Sequence, residues 1–298
     1  MALETKLVQK LDVMIKRCVD TKLRKDAVLI IEGAEGEGKT NASEAIAYYL
    51  KHQMKRPIHM FFRLKPLMEF AQSTEEKIII WDEPALDSLS TDWYKETNKD
   101  LIRILMTCRK KRHFFLLNMV KFHKFPEYVV VDRSLGLVHM YTRSKGNEPG
   151  RFIYIRRKNL ERLFTTYKQK KVREYKTLSS FGGRMPLVEP QIGKLGLNIE
   201  GVENATLADY ERLKDKAIQS IGQAEPGAEK NEQKLVELKK QVGSLKCPIK
   251  NREGLAEQLG ISTKTLSRWA AKDTGSILTP DKGQNIIPNG GEGSDELE

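Results

Sequence analysis

Short apolar runs separated by longer mixed stretches mark the first 165 or so residues. Val28–Glu32, Ile58–Phe62, Ile78–Asp82 and Phe114–Met119 are β-branched or aromatic runs of strand length, and Tyr128–Val131, Leu137–Tyr141 and Phe152–Ile155 follow the same pattern less sharply. Helical patterns lie between them, Asn41–Leu50 among them. Strands alternating with helices predict an α/β domain with a mainly parallel sheet over residues 1–180. Phe181-Gly-Gly-Arg-Met-Pro through Gly201 breaks both periodicities and reads as a linker, 181–204. A charged helical segment follows over 205–245, in which Ala205–Gln219 and Glu229–Val242 are rich in Lys and Glu. A short helical unit over 246–272 then precedes a Gly-, Pro-, Asn- and Asp-rich tail, 273–298, expected to be disordered.

The chain has 298 residues, 39% hydrophobic and 31% charged, enough for about two domains. No apolar run approaches the roughly 20 residues that cross a bilayer. The charged N-terminus, Met1-Ala-Leu-Glu-Thr-Lys, lacks a secretory core, so a cytoplasmic location without membrane partners is expected. Cys18, Cys108 and Cys247 have no metal-ligand or disulfide spacing. The net charge is +12, and the tail after Lys272 holds Asp273, Asp281, Glu292, Asp295, Glu296 and Glu298 against Lys282 alone. The rest is therefore more basic than the total implies. Charge of this sign makes nucleic acid the leading partner, and the segment Arg143–Lys176, with Arg156, Arg157 and Lys158 at its centre, is the strongest polyanion candidate.

Gly33-Ala-Glu-Gly-Glu-Gly-Lys-Thr40 satisfies G-x-x-x-x-G-K-[ST] between an apolar strand and a helical stretch, the context that this phosphate loop requires. Gly33, Gly36 and Gly38 let the backbone N–H groups of the loop, through Glu37 and on to Asn41, wrap phosphates. Lys39 reaches the terminal phosphates, and the Thr40 hydroxyl ligates Mg²⁺. ATP and Mg²⁺ are the expected cofactors. Lys77-Ile-Ile-Ile-Trp-Asp-Glu83 supplies the second element: Asp82 ends an apolar strand where it holds the metal through water. Glu83 is placed either to orient the attacking water or to cap the strand end beside Pro84. Asn118, at the end of the next strand, is either a sensor of the γ-phosphate or a turn former. Arg109 or Arg112, in a basic helix-to-strand corner, is a candidate arginine finger donated to a neighbouring subunit; a solvated corner is the alternative.

This order of phosphate loop, Asp82-Glu83, a loop with Trp93, a helix ending in Arg109-Lys-Lys-Arg and a strand ending in Asn118 resembles the FtsK–HerA group of DNA-pumping ATPases and their zonula-occludens-toxin-like phage and plasmid relatives. The resemblance covers residues 25–160. It implies a RecA-like core of the additional-strand catalytic-glutamate class, ATP hydrolysis assisted by Glu83, a homo-oligomeric ring and duplex DNA as partner. Those relatives often carry Gln where this chain has Asn118, and Asn also suits AAA+ helicase loaders.

Arg252–Trp269 has the spacing of a helix-turn-helix: Ala256 where two helices cross, Gly260 at the turn, Leu266 as an inward anchor. Its second helix would present Thr263, Lys264, Ser267 and Arg268 to a major groove, or the unit could serve protein contacts instead. Three readings result: a DNA-translocating or genome-packaging motor of a mobile element, a helicase-loading or transposition-type ATPase, and a nucleotide-gated DNA-binding regulator.

Overall fold

The computed structural model describes residues 3–82, 91–142, 150–186 and 196–220. Eight strands form one sheet: β1 Ala27–Glu32, β2 Ile58–Phe61, β3 Ile78–Asp82, β4 Phe114–Met119, β5 Gly136–Tyr141, β6 Arg151–Arg156, β7 Phe181–Arg184 and β8 Leu197–Ile199. Their order is β7-β6-β5-β1-β4-β3-β2-β8. The six strands from β5 to β8 in this order run parallel, and β6 and β7 close one side antiparallel. β4 stands between the phosphate-loop strand β1 and the acidic strand β3.

Alternation along the central strands decides which helices cover which face. Leu29, Ile31, Ile78, Ile80, Phe114 and Leu116 point to one face, and Val28, Ile30, Ile79, Trp81, Phe115 and Leu117 to the other. Both sets are almost fully buried, so the sheet is covered on both sides. Full burial of one such side chain is worth about 1.5–3 kcal/mol, and a one-residue slip in register would misplace them all.

The first face is covered by α1 (Thr5–Val19), α2 (Lys39–Met54) and α7 (Leu207–Ser220), the second by α3 (Leu64–Ser73), α4 (Thr91–Thr107), α5 (Arg157–Lys170) and the short α6 (Tyr175–Leu178). In α1 the buried positions are Leu7, Leu11, Met14 and Cys18, a stripe along one side of the helix. Glu4 caps it, accepting from the Leu7 N–H at 3.0 Å.

Two expectations are corrected here. Tyr128–Val131 is not a strand. It lies in a π-helical turn, Tyr128–Arg133, started at Pro126, whose carbonyl accepts from both Val129 and Val130, and closed by Ser134 on the Val129 carbonyl. Burial of Val129 and Val130 beneath helices overrides their β-propensity. Nor is Phe181–Gly201 a linker throughout: it supplies β7 and β8, the two edge strands of the sheet, and the folded unit continues through α7. Gly182 and Gly183 serve close packing there. A Cβ on Gly183 would sit 2.9 Å from the Phe152 ring and 3.0 Å from Glu4 Cγ. The helix-turn-helix pattern, Glu229–Val242 and the acidic tail lie outside the described residues.

Candidate nucleotide site

β1 ends at Glu32, the loop 33–38 follows, and α2 begins at Lys39. Gly36 and Gly38 have φ of +79° and +86°, backbone that favours glycine. At Gly33 the reason is room, since a Cβ would lie 2.9 Å from both the Met140 carbonyl oxygen and a Glu37 carboxylate oxygen. The Glu37 carboxylate folds back to accept from the Ala34 N–H at 2.6 Å, and Lys39 Nζ donates to the Ala34 carbonyl at 2.8 Å. The loop thus binds an anion of its own on an amide suited to phosphate. Burial lowers the Lys39 pKa, opposed by Asp82 and Glu37. Asn41 lies in the first turn of α2.

The same strand alternation sets the acidic side of the site. Asp82 continues the Ile78 and Ile80 face and Asn118 the Phe114 and Leu116 face, in direct register on β3 and β4, so both side chains meet α2. Asn118 Nδ2 donates to Asp82 Oδ1 at 2.9 Å, and Thr40 Oγ1 lies 3.3 Å from each Asp82 oxygen. The Ser43 hydroxyl, one turn into α2, has two acceptors within hydrogen-bond reach of its single proton, Asn118 Oδ1 and the Lys39 carbonyl. A hydroxyl and one carboxylate beside a phosphate loop are hard oxygen donors that fit Mg²⁺, which typically takes one or two carboxylates plus phosphate oxygens and water. Asn118 thus engages Asp82 and Ser43 through both atoms of its side-chain amide.

Two further groups reach Asp82 that the motifs did not identify. Tyr210 OH and Lys214 Nζ, both on α7, donate to Asp82 Oδ2 at 2.9 and 3.0 Å, and Lys214 also donates to Tyr210 OH at 2.7 Å. Burial pushes the Tyr210 pKa up to about 12, with Asp82 adding to the rise. Burial works against the Lys214 charge, yet Asp82 and Tyr210 outweigh it and raise its pKa. The only sequence signal was a Tyr and a Lys four apart on a helical pattern, which fixes a shared face but not what the face meets.

Other candidates sit elsewhere. Arg109 and Arg112 precede β4, at the end of the sheet away from the phosphate loop. Arg112 pairs with Glu76, and its carbonyl accepts from Arg56 at 2.7 Å. Neither is gathered around Thr40 and Asp82, so a finger role would require a second copy of the chain. Arg156, Arg157 and Lys158 are exposed at this same end, where β6 finishes opposite the start of β5. Glu83, Thr263, Lys264, Ser267 and Arg268 lie outside the described residues.

Across the described residues no helix is long and apolar enough to cross a membrane. No curated protein matches the chain. Residues 15–122 match the family model described as novel STAND NTPase 3. This is a different description from the DNA-pumping group that the motif order resembles. Both descriptions are of NTPases, and this chain has the phosphate loop, an acidic strand end at Asp82 and an α/β core. The family match, the loop and the strand order together support a P-loop NTPase in the general sense, with nucleotide hydrolysis as its chemistry.

Proposed function

We propose that the chain is a magnesium-dependent ATPase that handles DNA, in the manner of the translocating or packaging motors of phages and plasmids. The observation that carries the ATPase reading is the Thr40–Asp82–Asn118 cluster at the base of the phosphate loop. In this reading the loop amides and Lys39 bind the phosphates, and Thr40 and Asp82 would hold the metal. Asn118 keeps the Asp82 carboxylate oriented, and Glu83 positions the attacking water. Bound there, magnesium would neutralise charge on the β- and γ-phosphates.

DNA handling is supported by the +12 charge, the exposed Arg156-Arg-Lys158 and the helix-turn-helix pattern with Thr263, Lys264, Ser267 and Arg268. A homo-oligomeric ring goes with this reading, with Arg109 or Arg112 acting on a neighbouring site. One observation favours a second reading, a nucleotide-gated DNA-binding regulator: α7, which contacts Asp82, comes shortly before the helix-turn-helix pattern in sequence.

ATP turnover measured with and without duplex DNA tests both. The motor reading expects turnover that duplex DNA stimulates, lost in Lys39→Ala together with nucleotide binding. Glu83→Gln should retain ATP and stop turnover, because only water activation is removed. Wild-type turnover in Glu83→Gln would remove that residue from catalysis. Slow turnover indifferent to DNA, with nucleotide-dependent DNA binding, would favour the regulator.

A further inference from the structure

Asp82 is the most heavily shared side chain of the site. One oxygen accepts from Asn118, the other from both Tyr210 and Lys214, and the Thr40 hydroxyl is near both. Lys214 is not a surface lysine that happens to lie close. Its side chain is 30% exposed and that of Asp82 4%, and its ammonium also lies 5.1 Å from the Tyr210 ring centre.

The helix that carries it is fixed at several points. Thr206 and Asp209 cap its start reciprocally, Ala217 is buried in the core of that face, and Tyr210 and Leu213 pack against the same core. Tyr210 packs edge-on against Phe62, beyond β2. A long cation is thereby brought to the metal-binding carboxylate by an element lying outside both nucleotide motifs.

We propose that Lys214 is a specificity-determining residue of the nucleotide site, which reads the terminal phosphate of a bound nucleoside triphosphate and passes that information to α7. This rests on the nucleotide-site reading above. If Thr40 and Asp82 held magnesium, Lys214 would have to share the same carboxylate oxygens with it, and its ammonium would lose that partner. The ligand that brings the metal is a polyanion, still net negative after pairing with magnesium, and its terminal phosphate oxygens are acceptors for the released ammonium. A diphosphate lacks that phosphate. Lys214 would then distinguish the two nucleotides, and α7 would change partner with phosphate state.

The test uses the full chain and equilibrium binding of magnesium with a β,γ-imido ATP analogue or with ADP, comparing wild type, Lys214→Met, Lys214→Arg and Lys39→Ala. Lys214→Met should weaken the triphosphate analogue about tenfold or more and ADP less than about twofold, the size expected for one charge-assisted hydrogen bond. Lys214→Arg should keep most of the discrimination. Hydrogen exchange over α7 in the wild type should differ between the two nucleotides, a readout that does not depend on a variant folding.

Equal loss for both nucleotides in Lys214→Met would make the residue structural and overturn the proposal. A gain in triphosphate affinity would overturn it in favour of a lysine that merely competes with the metal, as would identical α7 exchange with both ligands. Folded wild type that binds nucleotide no better than Lys39→Ala would instead overturn the nucleotide site itself, and the proposal with it.

Discussion

His113 shows how much one buried residue can decide. It has no exposed surface, its Nδ1 accepts from the Lys77 N–H at 3.1 Å, and its Nε2 lies 3.1 Å from the Ala71 carbonyl. A backbone N–H can only donate, so Nδ1 must be the acceptor and Nε2 the protonated donor. The ring is neutral. Burial pushes its pKa down to about 4, Lys111 assisting and the bond to Ala71 opposing; burial takes His59 and His123 in the same direction, each to about 4. A folded-state value below the unfolded one means that the unfolded chain takes the proton first. Stability is therefore intact above about pH 6.5 and falls as the pH drops from there to about 4, by about 3 kcal/mol for His113 alone. Urea melts at a series of pH values check this. His113→Gln, which keeps one donor and one acceptor, should flatten part of the slope, and an unchanged slope would assign it to the carboxylates instead. Glu32 is a second buried centre that the sequence left unmarked: it accepts from Tyr175 OH at 2.5 Å and the Phe122 N–H at 3.3 Å, with His139 Nδ1 2.9 Å away. It reads as the polar end of a strand, and the partners come from positions up to 143 residues away in sequence.

Elements whose burial agrees with their local pattern were legible, and those placed by distant partners were not. β1, β3 and β4 follow from apolar runs, and the pairing of Asp82 with Asn118 follows once those strands are neighbours. The glycines of Phe181–Arg184 carry the opposite lesson. Gly-Gly commonly marks a flexible connection, but here each glycine lets an edge strand approach β6, a role that depends on Phe152 and Glu4. Gly183→Val should accordingly cost about 1–3 kcal/mol, because a side chain would press on the Phe152 ring and on the Glu4 cap of α1. Thermal melting decides it: a linker position would tolerate valine with no change. α7 was visible as a helix, yet its contact with Asp82 was not, because a helical period gives the side that is buried and not the residue it meets.

At the scale of the molecule, parallel strands sort the chemistry to the two ends of the sheet. The phosphate loop, Asp82 and Asn118 gather where β1, β3 and β4 finish. At the opposite end, exposed Arg109 and Lys110 precede β4, Arg156 ends β6, and Arg157 and Lys158 follow it. Arg157 is partly committed, donating to the Asp132 carbonyl at 2.9 Å. In the function proposed above, this basic end, remote from the phosphate loop, would be the surface that DNA follows without obstructing the nucleotide. If it tracks the phosphate backbone, Arg156→Glu with Lys158→Glu should weaken binding to every duplex sequence alike. It should also flatten the dependence of log K on log salt by about 0.9 for each phosphate that is no longer neutralised. Substituting Lys264 or Arg268 has a different signature if the helix-turn-helix reads bases: site preference falls by about 1–3 kcal/mol for each base edge no longer read, while non-specific binding persists. Salt titrations of the full chain on one preferred and one random duplex separate the two. A salt slope unchanged by Arg156→Glu and Lys158→Glu would reduce that edge to a solvated face and leave the C-terminal segment as the main DNA-binding element.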